Sequence, residues 1–214
     1  MCHSLLESAS FHRSLVVIDS EAAERVHESG CGVCGAPLHR ANYPRKARGV
    51  PPGSEPSATA FRLSFCCANR DCRKRATPRS LQFFDRRVYL SLFVTLAAIL
   101  VNGVTPRRVR EVAKELDVDR RTLERWREWW TRQVPKTPFW CAFRGRLDRP
   151  VDESMLPKSL LERITGSGDE DRLRRLLELL RDLSHSALMR ARIAMACATP
   201  TSPALNAPTG DRAR

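Results

Sequence analysis

The stretch Val109-Arg-Glu-Val-Ala-Lys-Glu-Leu-Asp-Val-Asp-Arg-Arg-Thr-Leu-Glu-Arg-Trp126 has the spacing of two short helices joined by a tight turn. Val112, Leu116, Val118, Leu123 and Trp126 are the apolar set that would lock the helices together, and Ala113 is the small residue where they approach most closely. Asp117 occupies the turn, and Asp is among the few residues that tolerate a left-handed backbone. Just upstream, Thr105-Pro106 is a start signal, with a Thr cap and a proline at the first helical position, where a missing N–H costs nothing. Asp119 caps the second helix. The pattern is that of a helix-turn-helix.

In such a motif the N-terminal residues of the second helix face base edges. Here they are Arg120, Arg121, Glu124 and Arg125, with Arg127 and Arg108 better placed for phosphates. A hairpin used only for packing, with its Arg/Glu alternation as a solvated face, would carry the same pattern. Nine bases against six acids over residues 105–132 leave a modest positive charge, which suits either reading.

Upstream of this stretch lie two cysteine pairs, Cys31-Gly-Val-Cys34 and Cys67-Ala-Asn-Arg-Asp-Cys72. Four thiolates around Zn²⁺ make a closed tetrahedral site with no catalytic vacancy, and two short pairs at the ends of a longer loop let one chain supply them. The expected ligands are therefore Cys31, Cys34, Cys67 and Cys72, holding one structural zinc. Gly32 and Gly35 permit the first turn, whose amides can hydrogen-bond the sulfurs. Cys66 is a rival to Cys67. The alternation of Phe61, Leu63, Phe65 and Cys67 with Arg62, Ser64 and Cys66 is that of a half-buried strand, and it puts Cys67 on the apolar face. His39 lies five residues past Cys34 with a proline between. Cys2, Cys141 and Cys197 have no partner at ligand spacing. A site of this kind contributes on the order of 10 kcal/mol to folding, so a segment with so few large apolar residues should not fold without metal.

Of the 214 residues, 37 are Lys or Arg and 24 are Asp or Glu, for a formal net charge of +13. Only five of the basic residues are lysine. Arginine's planar fork suits phosphate and guanine edges, although Arg-rich codon usage would produce the same excess. The charge is also localised: residues 40–87 hold twelve bases against three acids, a field that attracts polyanions and makes binding salt-dependent. The first ten residues lack the basic start and apolar core of a signal peptide, so CxxC spacing reads as metal binding before it reads as disulfide formation. Val88–Val101 is the longest apolar run, too short to span a bilayer and suited to a buried helix.

Elsewhere, Leu15–Ile18 is expected as a short strand and Glu21–Glu28 as a short helix running into Gly30. Pro51-Pro52-Gly53-Ser54 marks an irregular loop. Helices are expected over Tyr89–Val101, from Pro106 to about Leu116, from Asp119 or Arg120 through Trp130, and over Pro157–Ile164. A last helix opens at Asp169-Glu170-Asp171 with one leucine face: Leu173, Leu176, Leu177, Leu180 and Leu183. That face offers two uses, covering the chain's own core or pairing two copies as a homodimer. The fold expected is small α+β: residues 1–29 an N-terminal extension, 30–82 a zinc-ribbon-like domain with short β elements, 83–135 an all-α helix-turn-helix domain, 136–198 a C-terminal helical region and 199–214 a disordered tail.

At Cys31-x2-Cys34-Gly, Cys67-x4-Cys72-Arg-Lys-Arg-Ala-Thr-Pro and residues 109–126, the chain resembles zinc-ribbon plus helix-turn-helix proteins associated with bacterial transposable elements. The stretch Leu38-His-Arg-Ala-Asn-Tyr-Pro-Arg-Lys46 also looks like part of this group. The resemblance covers roughly residues 30–130 and implies a transposase DNA-binding module or accessory protein, cytoplasmic in a bacterium and nucleoid-associated when bound. Its partner would be double-stranded DNA, with no membrane and no small-molecule substrate. The chain departs from whole transposases. After Pro135 only 79 residues remain, short of a three-acid RNase-H-type sheet, and His3, His12, His27, His39 and His185 form no His-x-His pair. A non-enzymatic protein is therefore expected. Other readings are a transcriptional regulator unrelated to transposition, an RNA-binding zinc-ribbon protein gripping RNA through residues 40–87, and a nuclease fragment using Asp148, Asp152 and Glu153.

Overall fold

The computed structural model describes residues 2–50, 61–84 and 87–184. The expected loop at 51–54, Cys197 and the expected tail at 199–214 lie outside these residues. The fold is small α+β, with eight α-helices and five short strands among the described residues.

The chain opens with α1 (Cys2–Glu7) and α2 (Ala9–Ser29). Helix α2 overturns the expected strand at Leu15–Ile18. Val16-Val17-Ile18 favours a strand locally, but Phe11, Leu15, Asp19 and Ala23 recur every four residues and all are buried on one helical face. Val17 points out, 54% exposed. The Ser8 side chain caps α2 by accepting from the Phe11 amide, and Gly30 ends it at φ 73. Residues 1–29, expected as an extension, thus supply Leu6, Phe11 and Leu15 to the main core and Ala23 to a second, smaller one.

The small core is built on a three-stranded antiparallel sheet of order β1-β4-β5, with β1 at Leu38–Arg40, β4 at Phe65–Cys67 and β5 at Arg75–Ala76. Leu38 pairs with Cys67, and Phe65 with both Arg40 and Ala76. A two-stranded sheet pairs β2 (Tyr43–Pro44) with β3 (Phe61–Arg62). The expected continuous strand 61–67 is therefore broken between β3 and β4. Its face also flips at the break: Phe61 is exposed and Arg62 is 4% exposed, donating from its guanidinium to the Pro78 carbonyl. An arginine that finds a carbonyl inside can be buried where period-two alternation would put it outside.

The main core centres on α3 (Ser91–Val101), which packs against α1, α4 (Pro106–Glu115) and α5 (Arg120–Glu128). Apart from Ile99 and Leu100, the side chains of α3 are buried. The helical path continues past α5 through a π-helical turn, Trp129–Gln133, which leaves both Trp129 and Trp130 buried. Helix α6 (Pro138–Arg144) follows, then the single-turn α7 (Lys158–Leu161) and α8 (Asp169–Leu180). Leu173, Leu176, Leu177 and Leu180 of α8, and Leu183 just beyond it, are each at most 1% exposed, so this face covers the chain's own core and is not free to pair two copies.

Two contacts tie the parts together. The Asp19 carboxylate on α2 accepts from the Ser80 hydroxyl (2.5 Å), the Leu81 amide (2.6 Å) and the Gln82 side-chain amide (3.0 Å). Gly49, at φ 73, lies so close to α3 that a methyl group there would sit 2.6 Å from the Phe93 ring.

Candidate metal centre and the neighbouring helix pair

Local backbone geometry shapes each cysteine turn. In the first, the Gly35 amide donates to the Cys31 carbonyl (2.8 Å) and the Cys31 amide to Ala36 (2.9 Å). Gly35 is left-handed at φ 71, so it is the glycine the turn requires; Gly32 is not left-handed. The second turn is longer. The Arg73 amide donates to the Asn69 carbonyl (3.0 Å), Arg73 is left-handed at φ 48, and the Cys67 amide then reaches the Lys74 carbonyl (2.9 Å). This one-turn excursion is what the x4 spacing accommodates.

The result is a tetrad. The sulfurs of Cys31, Cys34, Cys67 and Cys72 all lie within 4.8 Å of one another. Cys31 and Cys72 are 3.8 Å apart, and Cys34 and Cys67 3.4 Å. Those separations exceed a sulfur–sulfur bond of about 2 Å, and the cysteines are free. Four sulfurs held about 2.3 Å from a tetrahedral ion would sit about 3.8 Å apart, so the donor set and its spacing fit a single metal ion. Cys66 occupies the opposite face of β4, its thiol 3.8 Å from the Arg73 carbonyl, because consecutive strand residues point to opposite sides. His39, paired opposite Cys66, is outside the tetrad.

The backbone prepares the thiols unequally. The amides of Val33 and Cys34 hydrogen-bond the Cys31 sulfur and lower its pKa to about 6. Burial pushes Cys67 up to about 12, against an amide hydrogen bond from Asn69. Among the described residues, the buried members of the small core are Ala23, Leu38 and Phe65 together with Cys31 and Cys67 of the tetrad, with partly buried neighbours such as Val26 and Leu63. His27 on α2 stacks on Phe65 (5.2 Å between centroids) and its Nε2 lies 2.8 Å from the Leu38 carbonyl oxygen.

The second element of the site is the α4–α5 pair. The Thr105 hydroxyl caps α4 by accepting from the Arg108 amide, and Asp119 caps α5 by accepting from the Arg121 amide. Asp117 between them adopts φ 49, in the left-handed region. Val112, Ala113, Leu116, Val118, Leu123 and Trp126 are buried together, and Trp126 meets Tyr89 edge-on at 4.8 Å.

The six side chains proposed for nucleic-acid contact are all exposed, but they are not equivalent. Arg108 bonds Glu111 (3.3 Å) and Glu115 (2.9 Å), and Arg120 bonds Glu124 (2.8 Å). The two hydrogen-bonded carboxylates raise the Arg108 pKa, Glu111 contributing most. Arg125 donates to the Thr122 hydroxyl (2.9 Å), while Arg121 and Arg127 have no ionic partner among the described residues. Sequence reasoning could not separate these groups, although Arg120/Glu124 and Arg107/Glu111 stand four apart, the spacing of helical ion pairs.

Two of the three acids considered for a nuclease, Asp152 and Glu153, have structural partners. Asp152 accepts from the Ser154 amide and hydroxyl, and Glu153 accepts from the Trp140 indole (2.6 Å) and pairs with Arg144. No described helix is long and apolar enough to cross a membrane. Comparison with known protein families, curated proteins and solved structures returns no match.

Proposed function

We propose that this protein is a zinc-dependent, sequence-specific DNA-binding protein, non-catalytic, and associated with a transposable element as a binding module or accessory factor. In this reading Cys31, Cys34, Cys67 and Cys72 hold one structural zinc in a ribbon, and α4 and α5 form a helix-turn-helix. Helix α5 enters the major groove, with Arg121 and Arg125 toward base edges and Arg127 toward phosphates.

The observation that carries the reading is the division of α5. Leu123 and Trp126 are buried against the core, while Arg120, Arg121, Glu124 and Arg125 stand exposed just after the Asp119 cap and the left-handed turn. A helix held in this way presents a rigid polar face, which base readout needs. The thiol tetrad supports the metal, since among the described residues only Ala23, Leu38 and Phe65 are buried in the small core besides the tetrad's own Cys31 and Cys67, which is little for three strands. Zinc in this site would supply cross-linking of the two turns and no chemistry, because four thiolates leave no open coordination position.

The test is metal content and duplex selection on one purified sample. One zinc per chain with an enriched motif from random duplexes supports the reading. Zinc without an enriched motif would shift the function to RNA or protein partners, and the absence of zinc would remove its basis.

A further inference from the structure

The structure separates two kinds of basic residue. Over α4 and α5, acids stand among the cations and pair with three of the eight: Arg107 with Glu111, Arg108 with Glu111 and Glu115, and Arg120 with Glu124. Around the thiol tetrad the balance is different. Asp71 is the one acidic residue among the described residues of 38–84. Arg40 is paired with Glu24, and Arg79 with Asp182. Lys46, Arg48, Arg70, Arg73, Lys74 and Arg75 are all exposed and have no ionic partner among the described residues.

These six residues form a continuous run. Arg70, Arg73 and Lys74 sit on the turn that brings Cys67 and Cys72 together. Arg75, the next residue, lies 5.7 Å from the Tyr43 ring, and Arg45 lies 5.6 Å from the same ring. The chain then passes Lys46 to Arg48, which bridges Tyr89 and lies 5.9 Å from its ring. Tyr89 in turn packs on Trp126 of α5, and Arg48 and Gly49 line the same cleft as Asp117 and Val118 in the α4–α5 turn. Exposed like charges with so few acids repel one another, and a polyanion relieves that repulsion while releasing its counterions.

We propose that this run grips the phosphate backbone of duplex DNA and supplies most of the salt-dependent part of binding, leaving base readout to α5. The proposal rests on the DNA-binding reading above and assigns its electrostatic half to the cysteine domain. The grip depends on metal, because three of its cations are carried by the loop whose shape Cys67 and Cys72 set. Arg75 also has a structural duty, donating to the Ala41 carbonyl (3.1 Å) and the Ser64 hydroxyl (3.2 Å), so it is left intact in the test.

The experiment titrates a labelled random-sequence duplex with the zinc-loaded chain over a series of salt concentrations. It compares the wild type, the triple variant R70A/R73A/K74A and the control R107A, with zinc content and far-UV circular dichroism verifying each fold. Each lost phosphate contact lowers the slope of log K against log salt by about 0.9, so the triple variant should lose about 2 to 3 from its slope. R107A should keep the wild-type slope, its charge being spent on Glu111. A triple variant that binds duplex with the wild-type slope overturns the proposal and leaves the DNA-binding reading standing. A wild-type chain that binds no duplex defeats both. Tighter binding to single-stranded RNA than to duplex, abolished in the triple variant, would keep the grip but overturn DNA as its ligand.

Discussion

Cys31 and Cys67 sit in one tetrad, yet the fold treats them oppositely. Two amides hold Cys31 down to about 6, so at neutral pH it is already a thiolate, whereas burial holds Cys67 up to about 12 and it must surrender a proton to a metal. In the metal-free chain the lowered Cys31 value contributes stability at pH above the ordinary thiol value, and this is lost as pH falls through about 6. Zinc affinity should therefore fall by about tenfold or more per pH unit on acidification from neutrality and steepen below about pH 6, where Cys31 protonates as well. Competition with a chromophoric chelator measures this, and an affinity flat with pH would show that thiolates are not the ligands. Cys34→Ser should lose zinc, and a variant retaining one zinc per chain would exclude Cys34 from the set. Asp19 sets a different test. Asp19→Ala removes the acceptor of the Leu81 amide and of the Ser80 hydroxyl proton inside the protein and should cost about 3 kcal/mol, read as a lowered denaturation midpoint at unchanged slope. A cost under about 1 kcal/mol would mean that the carboxylate is not the tie between α2 and residues 80–82.

Among the elements, the α4–α5 pair carries the sharpest expectations. The left-handed Asp117 is tolerated, and a β-branched side chain would not be: Asp117→Val should destabilise by about 1–2 kcal/mol while Asp117→Gly should not. Thermal melts of the two variants separate backbone strain from any loss of the Asp side chain, which would affect both alike. For binding, Arg121→Ala should cost about 1–3 kcal/mol against the selected duplex if it reads a guanine. Arg120→Ala should cost less, since Arg120 is already engaged with Glu124. Unchanged affinity in both Arg121→Ala and Arg125→Ala would remove α5 as the reader.

On the scale of the whole molecule, the described residues form two apolar clusters of very different size, and α2 belongs to both. The main core spans residues from Leu6 to Leu183, while the cluster at the tetrad has five buried members among the described residues, two of them Cys31 and Cys67. Chelation should accordingly be a local event. Proteolysis should open between about residues 31 and 76 while the helical circular dichroism signal is largely kept, because a core as extensive as the main one does not need the metal. Complete loss of helical signal on chelation would show that the two clusters fold as one unit.

The elements with short-range chemistry were legible in the residues. The Thr105 and Asp119 caps, the Asp117 turn and the leucine stripe of α8 each rest on neighbours within a few positions. The choice of Cys67 over Cys66 followed from period-two alternation near the end of the strand. What the residues could not show depended on distant partners. Val16-Val17-Ile18 became helix because Phe11, Leu15 and Ala23 bury one face against residues far along the chain, outweighing a local strand preference. Arg62 turned inward because the Pro78 carbonyl was there to receive it, and Phe61 turned outward in consequence. Which arginines keep a free charge was likewise set by the assembled surface. A side chain's burial and ionic partners are properties of the packed whole, whereas caps, turns and ligand spacings are fixed by the chain over a few bonds.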